Sequence, residues 1–132
     1  MPLNGISLMS DSTGISVIGG ATTAFDSDGS SVSNGVHLVD NSEANFLLRP
    51  HLTFKNRAYA KQSDDSFSKG LRSVVTTLPI TLADGSISYQ VSRQVFEIHP
   101  EATQAQINEL RRLTAQTIID DETDDFYFFG SV

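Results

Sequence analysis

The stretch from Phe46 to Tyr59 constrains this chain more than any other. Leu48, Pro50, Leu52 and Phe54 fall on one parity, and Arg49, His51, Thr53, Lys55 and Arg57 fall on the other. Side chains of a β-strand alternate between faces, so this segment reads as a strand with one apolar and one cationic face. Proline lacks the N–H that a ladder needs, which places the start of the regular strand after Pro50. Such a strand needs apolar cover on one side and a polar or anionic neighbour on the other.

The remaining chain supplies further strands. Ile6-Ser7-Leu8-Met9 and Ile15-Ser16-Val17-Ile18 flank Ser10-Asp11-Ser12-Thr13-Gly14, the apolar–turn–apolar order of a hairpin, closed by Gly19-Gly20. Residues 21–35 read as a polar loop, followed by a short strand at Val36-His37-Leu38-Val39. Gln62 to Phe67 is a polar turn. A strand follows from Lys69 to Ile80, rich in β-branched residues at Val74-Val75-Thr76-Thr77 and ended by Pro79. Asp84-Gly85 supplies a tight turn. Ile87 to Ile98 is a long strand whose apolar parity changes at Val95-Phe96, which predicts a bulge or bend there.

After His99-Pro100 the period changes from two to between three and four. Thr103 and Gln106 have the spacing of a capping box, and Ile107, Leu110, Leu113, Thr117 and Ile118 follow on one helical stripe. The helix should stop at Asp120-Asp121-Glu122, because acids are unfavourable at a helix C-terminus, and these read as a solvated turn. Phe126-Tyr127-Phe128-Phe129 is an aromatic tail with two possible uses: docking onto the chain's own core, as a strand or short helix, or joining subunits.

At 132 residues the chain has room for one domain, with its first strands in 1–40, a main sheet in 45–98, a helix in 103–119 and the acidic turn and aromatic tail in 120–132. Only 39% of residues are apolar, low for a self-sufficient globule. The formal charge of −7 is unevenly spread. Residues 1–48 hold five acids and no Lys or Arg, and residues 94–132 hold eight acids against Arg111 and Arg112. Residues 49–93 carry seven cations against three acids. Fields act within a Debye length of about 8–10 Å, so a local anion-binding surface survives the net charge.

Other classes lose support. With no cysteine, neither a disulfide framework nor a thiolate metal site can form. The N-terminal Met1-Pro2-Leu3-Asn4-Gly5 has no basic n-region, and no run reaches the roughly 20 apolar residues of a membrane span, so neither a signal peptide nor a membrane partner is expected. His37, His51 and His99 lack metal-ligand spacing and read as surface or strand histidines. Asp26-Ser27-Asp28-Gly29 begins like a calcium loop but lacks its bidentate Glu and flanking helices. Nothing resembles a nucleophile elbow or a phosphate loop, and the expectation is a non-enzyme without cofactor or metal.

Taken in order, a basic strand (Phe46-Leu47-Leu48-Arg49-Pro50-His51-Leu52-Thr53-Phe54-Lys55), a strand ending in Leu78-Pro79, a strand through Val95-Phe96-Glu97-Ile98 and a capped helix resemble the coat proteins of small single-stranded RNA bacteriophages, the levivirus-like group. The resemblance spans nearly the whole chain and is best from Asn45 to Ile119. It implies an α+β fold: an N-terminal β-hairpin, an antiparallel meander sheet and a C-terminal amphipathic helix that packs across a dimer partner. It further implies a homodimer joined edge to edge, an icosahedral shell around single-stranded genomic RNA, and binding of an RNA hairpin as a translational repressor. The location implied is the virion, after synthesis in the host bacterial cytoplasm. Carried over by position, Arg49, His51, Thr53, Lys55 and Arg57 would face RNA, joined by Ser73 and Thr77 and by Tyr89 and Arg93. Ile107, Leu110, Leu113 and Ile118 would meet the partner. Ser73 and Thr77 depart from the cations usual at their positions, and the acidic and aromatic C-terminus departs from the family pattern. A sheet-forming subunit of another assembly, fimbrial or tail-like, is the alternative.

Overall fold

The computed structural model describes residues 5–60, 62–64 and 68–130. They fall into two compact units, one of Gly20–Glu101 and one of Met1–Gly19 with Ala102–Val132. The first is a five-stranded antiparallel sheet in sequential order: β1 (Phe25–Ser27), β2 (Gly35–Asp40), β3 (His51–Arg57), β4 (Gly70–Thr81) and β5 (Ile87–Ile98). The second carries α1 (Gln104–Ile119) and α2 (Asp124–Phe129).

The sheet is a plain meander in which each register follows from local chemistry. Phe46–Leu48 forms a 3-10 turn capped by the Asn45 side chain, and the strand starts at His51, just past Pro50. Gly35 opens β2 where a Cβ would lie 2.0 Å from the Phe54 carbonyl oxygen, so no larger residue fits this register. Asp84 and Gly85 make the β4–β5 turn, with Gly85 at φ +85° and the Asp84 carboxylate accepting from the Ser86 amide and hydroxyl. Those hydrogen bonds hold the Asp84 carboxyl below its ordinary range.

Four expectations need correction. An N-terminal hairpin exists, but β1 and β2 build it, and residues 6–9 and 15–18 form no strands. Instead the 9–12 segment is held by α1: Met9 N–H donates to Gln116 Oε1 at 2.8 Å, Asp11 N–H donates to the Glu109 carboxylate, and Arg112 donates to the Ser12 carbonyl at 2.7 Å. Backbone groups satisfied by helix side chains no longer need a strand partner. Second, Pro79 lies inside β4 rather than at its end. Even-numbered β4 residues bond β5, as the Leu82 amide does Ser86, so Pro79 turns its nitrogen toward β3, whose ladder has stopped at His51–Thr77. Third, no bulge interrupts β5, which pairs with β4 without a break from Ile87–Thr81 to Ile98–Gly70. The parity change records apolar residues on both faces of one regular strand. Fourth, the acids after α1 do not form a simple solvated turn. Asp120 caps a 3-10 turn at Asp121–Thr123, and Asp124 and Asp125 occupy the first turn of α2, where the helix dipole favours negative charge. The predicted polar turn at Gln62–Phe67 lies partly outside the described residues.

The helix matches its reading. Thr103 accepts from the Gln106 amide and Gln106 Oε1 accepts from the Thr103 amide, a complete capping box. The aromatic tail is helical, closed by Gly130 at φ +70°. Among the described residues the buried apolar side chains are Val39 and Ile98, while 22 large apolar side chains are exposed. A chain that buries so little apolar surface lacks the main favourable term of folding and depends on further cover.

Candidate nucleic-acid interface

Residues directly opposite one another in an antiparallel ladder share a face. His51 lies opposite Thr77, Thr53 opposite Val75, Lys55 opposite Ser73 and Arg57 opposite Leu71. Thr77, Val75 and Ser73 in turn lie opposite Val91, Arg93 and Val95, and Pro79 opposite Tyr89. The unbroken register therefore puts His51, Thr53, Lys55, Arg57, Ser73, Thr77, Tyr89 and Arg93 on one face of the sheet. Lys55, Arg57, Tyr89 and Arg93 are exposed, and His51, Thr53, Ser73 and Thr77 are half-buried. Val36, Leu38, Leu52, Phe54, Val74, Leu78, Ile80, Phe96 and Ile98 occupy the other face by the same rule.

Arg49 does not join the row. It precedes β3, its Nε donates to the Glu43 carbonyl at 2.7 Å, and its guanidinium lies 4.2 Å over the Phe46 ring. One cation of the predicted set is thus turned to local packing, because the chain leaves strand geometry before Pro50.

One residue of the face escaped the sequence reading. His37 of β2 lies opposite Thr53. Its Nδ1 is 2.9 Å from Thr53 Oγ1 and its Nε2 is 3.1 Å from His51 Nδ1, with ring centroids 5.1 Å apart. Asp28 Oδ2 stands 3.7 Å from His37 Nε2. The Asp28 carboxyl is held low, chiefly by the hydrogen bonds of Ser30. His51 is pushed below the usual imidazole range, mainly by burial and then by the neighbouring His37. Position parity within residues 36–39 was the only available signal, and it could not reveal which strand His37 would pair with.

The predicted partner-facing residues lie along α1. Ile107 and Leu113 are half-buried, and Leu110 and Ile118 are 41% and 47% exposed, with no α1 residue fully buried. Among the described residues no group of three or more His, Asp or Glu is placed to hold a metal ion, and no helix is long and apolar enough to cross a membrane.

No protein-family model and no curated protein matches the sequence. Solved structures do. The chain is similar to a subunit of the virus-like particle of bacteriophage GQ-907, at 30% identity with 97% of each chain covered and a TM-score of 0.87. It shares a fold with the virus-like particle of Beihai levi-like virus 21, at 10% identity, covering 86% of this chain and 98% of that one, with a TM-score of 0.52.

Proposed function

The chain belongs to the coat proteins of levivirus-like bacteriophages and is a capsid protein, and from that premise we propose that it dimerises, closes into a shell and holds single-stranded RNA against the cationic face of its sheet. The observation that carries the RNA contact is the unbroken β3–β4–β5 register, which gathers Lys55, Arg57, Arg93 and Tyr89 on one side. Phosphates supply most nucleic-acid affinity through cations, and an exposed tyrosine offers a base a stacking surface. Repression of translation through an RNA hairpin belongs to the same proposal. Ser73, Thr77 and Tyr89 are among the polar groups on this face able to read a base beside those phosphate contacts.

Dimerisation is supported by the unequal edges of the sheet. β1 is 3 residues long and β5 is 12. With its even-numbered residues bonded to β4, β5 turns the N–H and C=O groups of Ile87, Tyr89, Val91, Arg93, Val95 and Glu97 outward. A long unpaired edge is a template for a second strand. A second β5 running antiparallel would satisfy those groups and make one continuous sheet. The α1 stripe of Ile107, Leu110, Leu113 and Ile118, together with the apolar sheet face, then has a partner's surface to meet.

The test is expression of the full chain alone in bacteria, followed by electron microscopy and the ultraviolet spectrum of the purified product. Closed particles absorbing as nucleoprotein are expected. A monodisperse monomer free of nucleic acid would overturn the proposal, and nucleic-acid-free filaments or rings would favour the fimbrial or tail-like alternative.

A further inference from the structure

The two imidazoles on the sheet face form a unit whose hydrogen bonds admit one extra proton. In the neutral pair, one ring donates across the 3.1 Å gap between His37 Nε2 and His51 Nδ1, and the Thr53 hydroxyl completes the bonding of His37 Nδ1. If His37 takes a proton, both of its nitrogens become donors: Nδ1–H to Thr53 Oγ1 and Nε2–H to the lone pair of His51 Nδ1. Every contact is kept, and the bond between the rings becomes charge-assisted. Asp28, 3.7 Å from Nε2, favours that charge. A second proton is different. It would set two N–H groups and two charges against each other across the same gap, in keeping with the downward push on His51.

The surroundings decide what the added charge does. From the β1 side come Asp28 and, by register, Asp26, which lies opposite Val39. Lys55 is on the same face of β3, and Arg49 acts on His51 from the segment before it. The β4 residues opposite His51 and Thr53 are Thr77 and Val75, neither of which titrates, and Arg93 follows on β5. With the pair neutral, Asp28 leaves a negative charge at this end of a cationic row. With one proton bound, the charge of Asp28 is balanced within the cluster and its repulsion of a phosphate is cancelled.

We propose that His37 and His51 form a proton-dependent phosphate contact, so that mild acidification tightens the hold of this sheet face on an RNA backbone. The inference rests on the reading of this face as the RNA side. By linkage, a phosphodiester that favours the charged pair also draws the proton onto it. Imidazoles are the side chains that change charge between about pH 5 and 8, so the effect falls within an accessible range.

The experiment measures binding of a short oligouridylate to the full chain, dissociated from its particles and freed of RNA, at about pH 7.5 and 5.5, at one fixed salt concentration. One added phosphate contact at about 0.1 M salt corresponds to roughly fivefold in affinity, from a slope of about 0.7 per contact on a single strand. The wild-type chain should gain about that factor on acidification beyond any gain of the His37→Gln/His51→Gln double variant. Asp28→Asn should bind more tightly at pH 7.5 and show a smaller step, because the negative charge that repels phosphate and favours the proton is gone. As a second readout, the imidazole proton resonances should titrate at higher pH with the oligonucleotide present than without it. Equal pH steps in wild type and double variant, or titrations indifferent to RNA, overturn this inference alone. No binding at either pH overturns the RNA-side reading and this inference together.

Discussion

The two faces of the sheet share one backbone and one ladder, yet they present different side chains. On β3, Lys55 and Arg57 alternate with Phe54 and Asn56, so a step of one residue passes from a cationic surface to an apolar one. Phe54 is 39% exposed and Leu78 on the same side 48%. Apolar groups left in water on this scale mark an interaction surface, and on the cationic side Val91 and Val95 of the β5 edge are likewise 43% and 57% exposed. The cations opposite need no cover, because water and counterions solvate them. The sheet is complete as a ladder and incomplete as a core, and under the proposed function protein and RNA complete different sides.

The same charge placed on each face should have the largest effect. Phe54→Asp should abolish particle formation, since a carboxylate would enter the surface meant for protein, where an unpaired buried charge is severely costly. Lys55→Asp, one residue away, should leave the dimer intact and strip RNA from it. Size-exclusion chromatography and the nucleic-acid absorbance of each product check the pair. If both variants behave alike, the faces are not distinct in function.

Next in size is the edge of β5. Val91 turns its N–H outward and Ser92 turns its N–H to β4. Val91→Pro should therefore block dimerisation while leaving the β4–β5 ladder able to form, whereas Ser92→Pro should break that ladder itself. Circular dichroism and sedimentation distinguish the two. A dimer that survives Val91→Pro would remove β5 from the interface.

Smaller effects are expected from single groups. His51 in the folded chain holds its proton less well than an ordinary imidazole, so the unfolded chain binds more protons. Its contribution to stability is present above about pH 6.5, the ordinary imidazole value, and is lost as the pH falls through the depressed folded value. The midpoint of thermal unfolding should fall on acidification across that window, and less so in His51→Gln. Thr103→Ala removes one half of the capping box of α1 and should cost about 1 kcal/mol, read by denaturant unfolding, with the sheet face and its RNA affinity untouched.

The legible parts of the molecule were those with local causes. The bounds of β5, the Asp84-Gly85 turn, the start of β3 after Pro50 and the Thr103–Gln106 cap all follow from neighbours within a few residues. The misread parts depend on partners far along the chain. Residues 6–9 and 15–18 look like a hairpin until Gln116, Glu109 and Arg112, about a hundred positions away, take up the backbone groups of residues 9–12. β1 is 3 residues of Phe-Asp-Ser with no period to detect, and it exists through its pairing with β2. The candidate site divides in the same way. The cationic parity of β3 could be read directly, while the contact between His37 and His51 required the β2–β3 register.

Under the proposed function, RNA is held by the face bearing Lys55 and Arg57. The salt dependence of oligouridylate binding tests this in RNA-free chains dissociated from particles of wild type, Lys55→Ala/Arg57→Ala and Arg72→Ala, the last on the other face and paired with Asn56. Loss of two phosphate contacts should lower the slope of log affinity against log salt by about 1.4 in the double variant and leave it unchanged in Arg72→Ala. A slope that is unchanged in the double variant, or that falls in Arg72→Ala instead, would contradict the account.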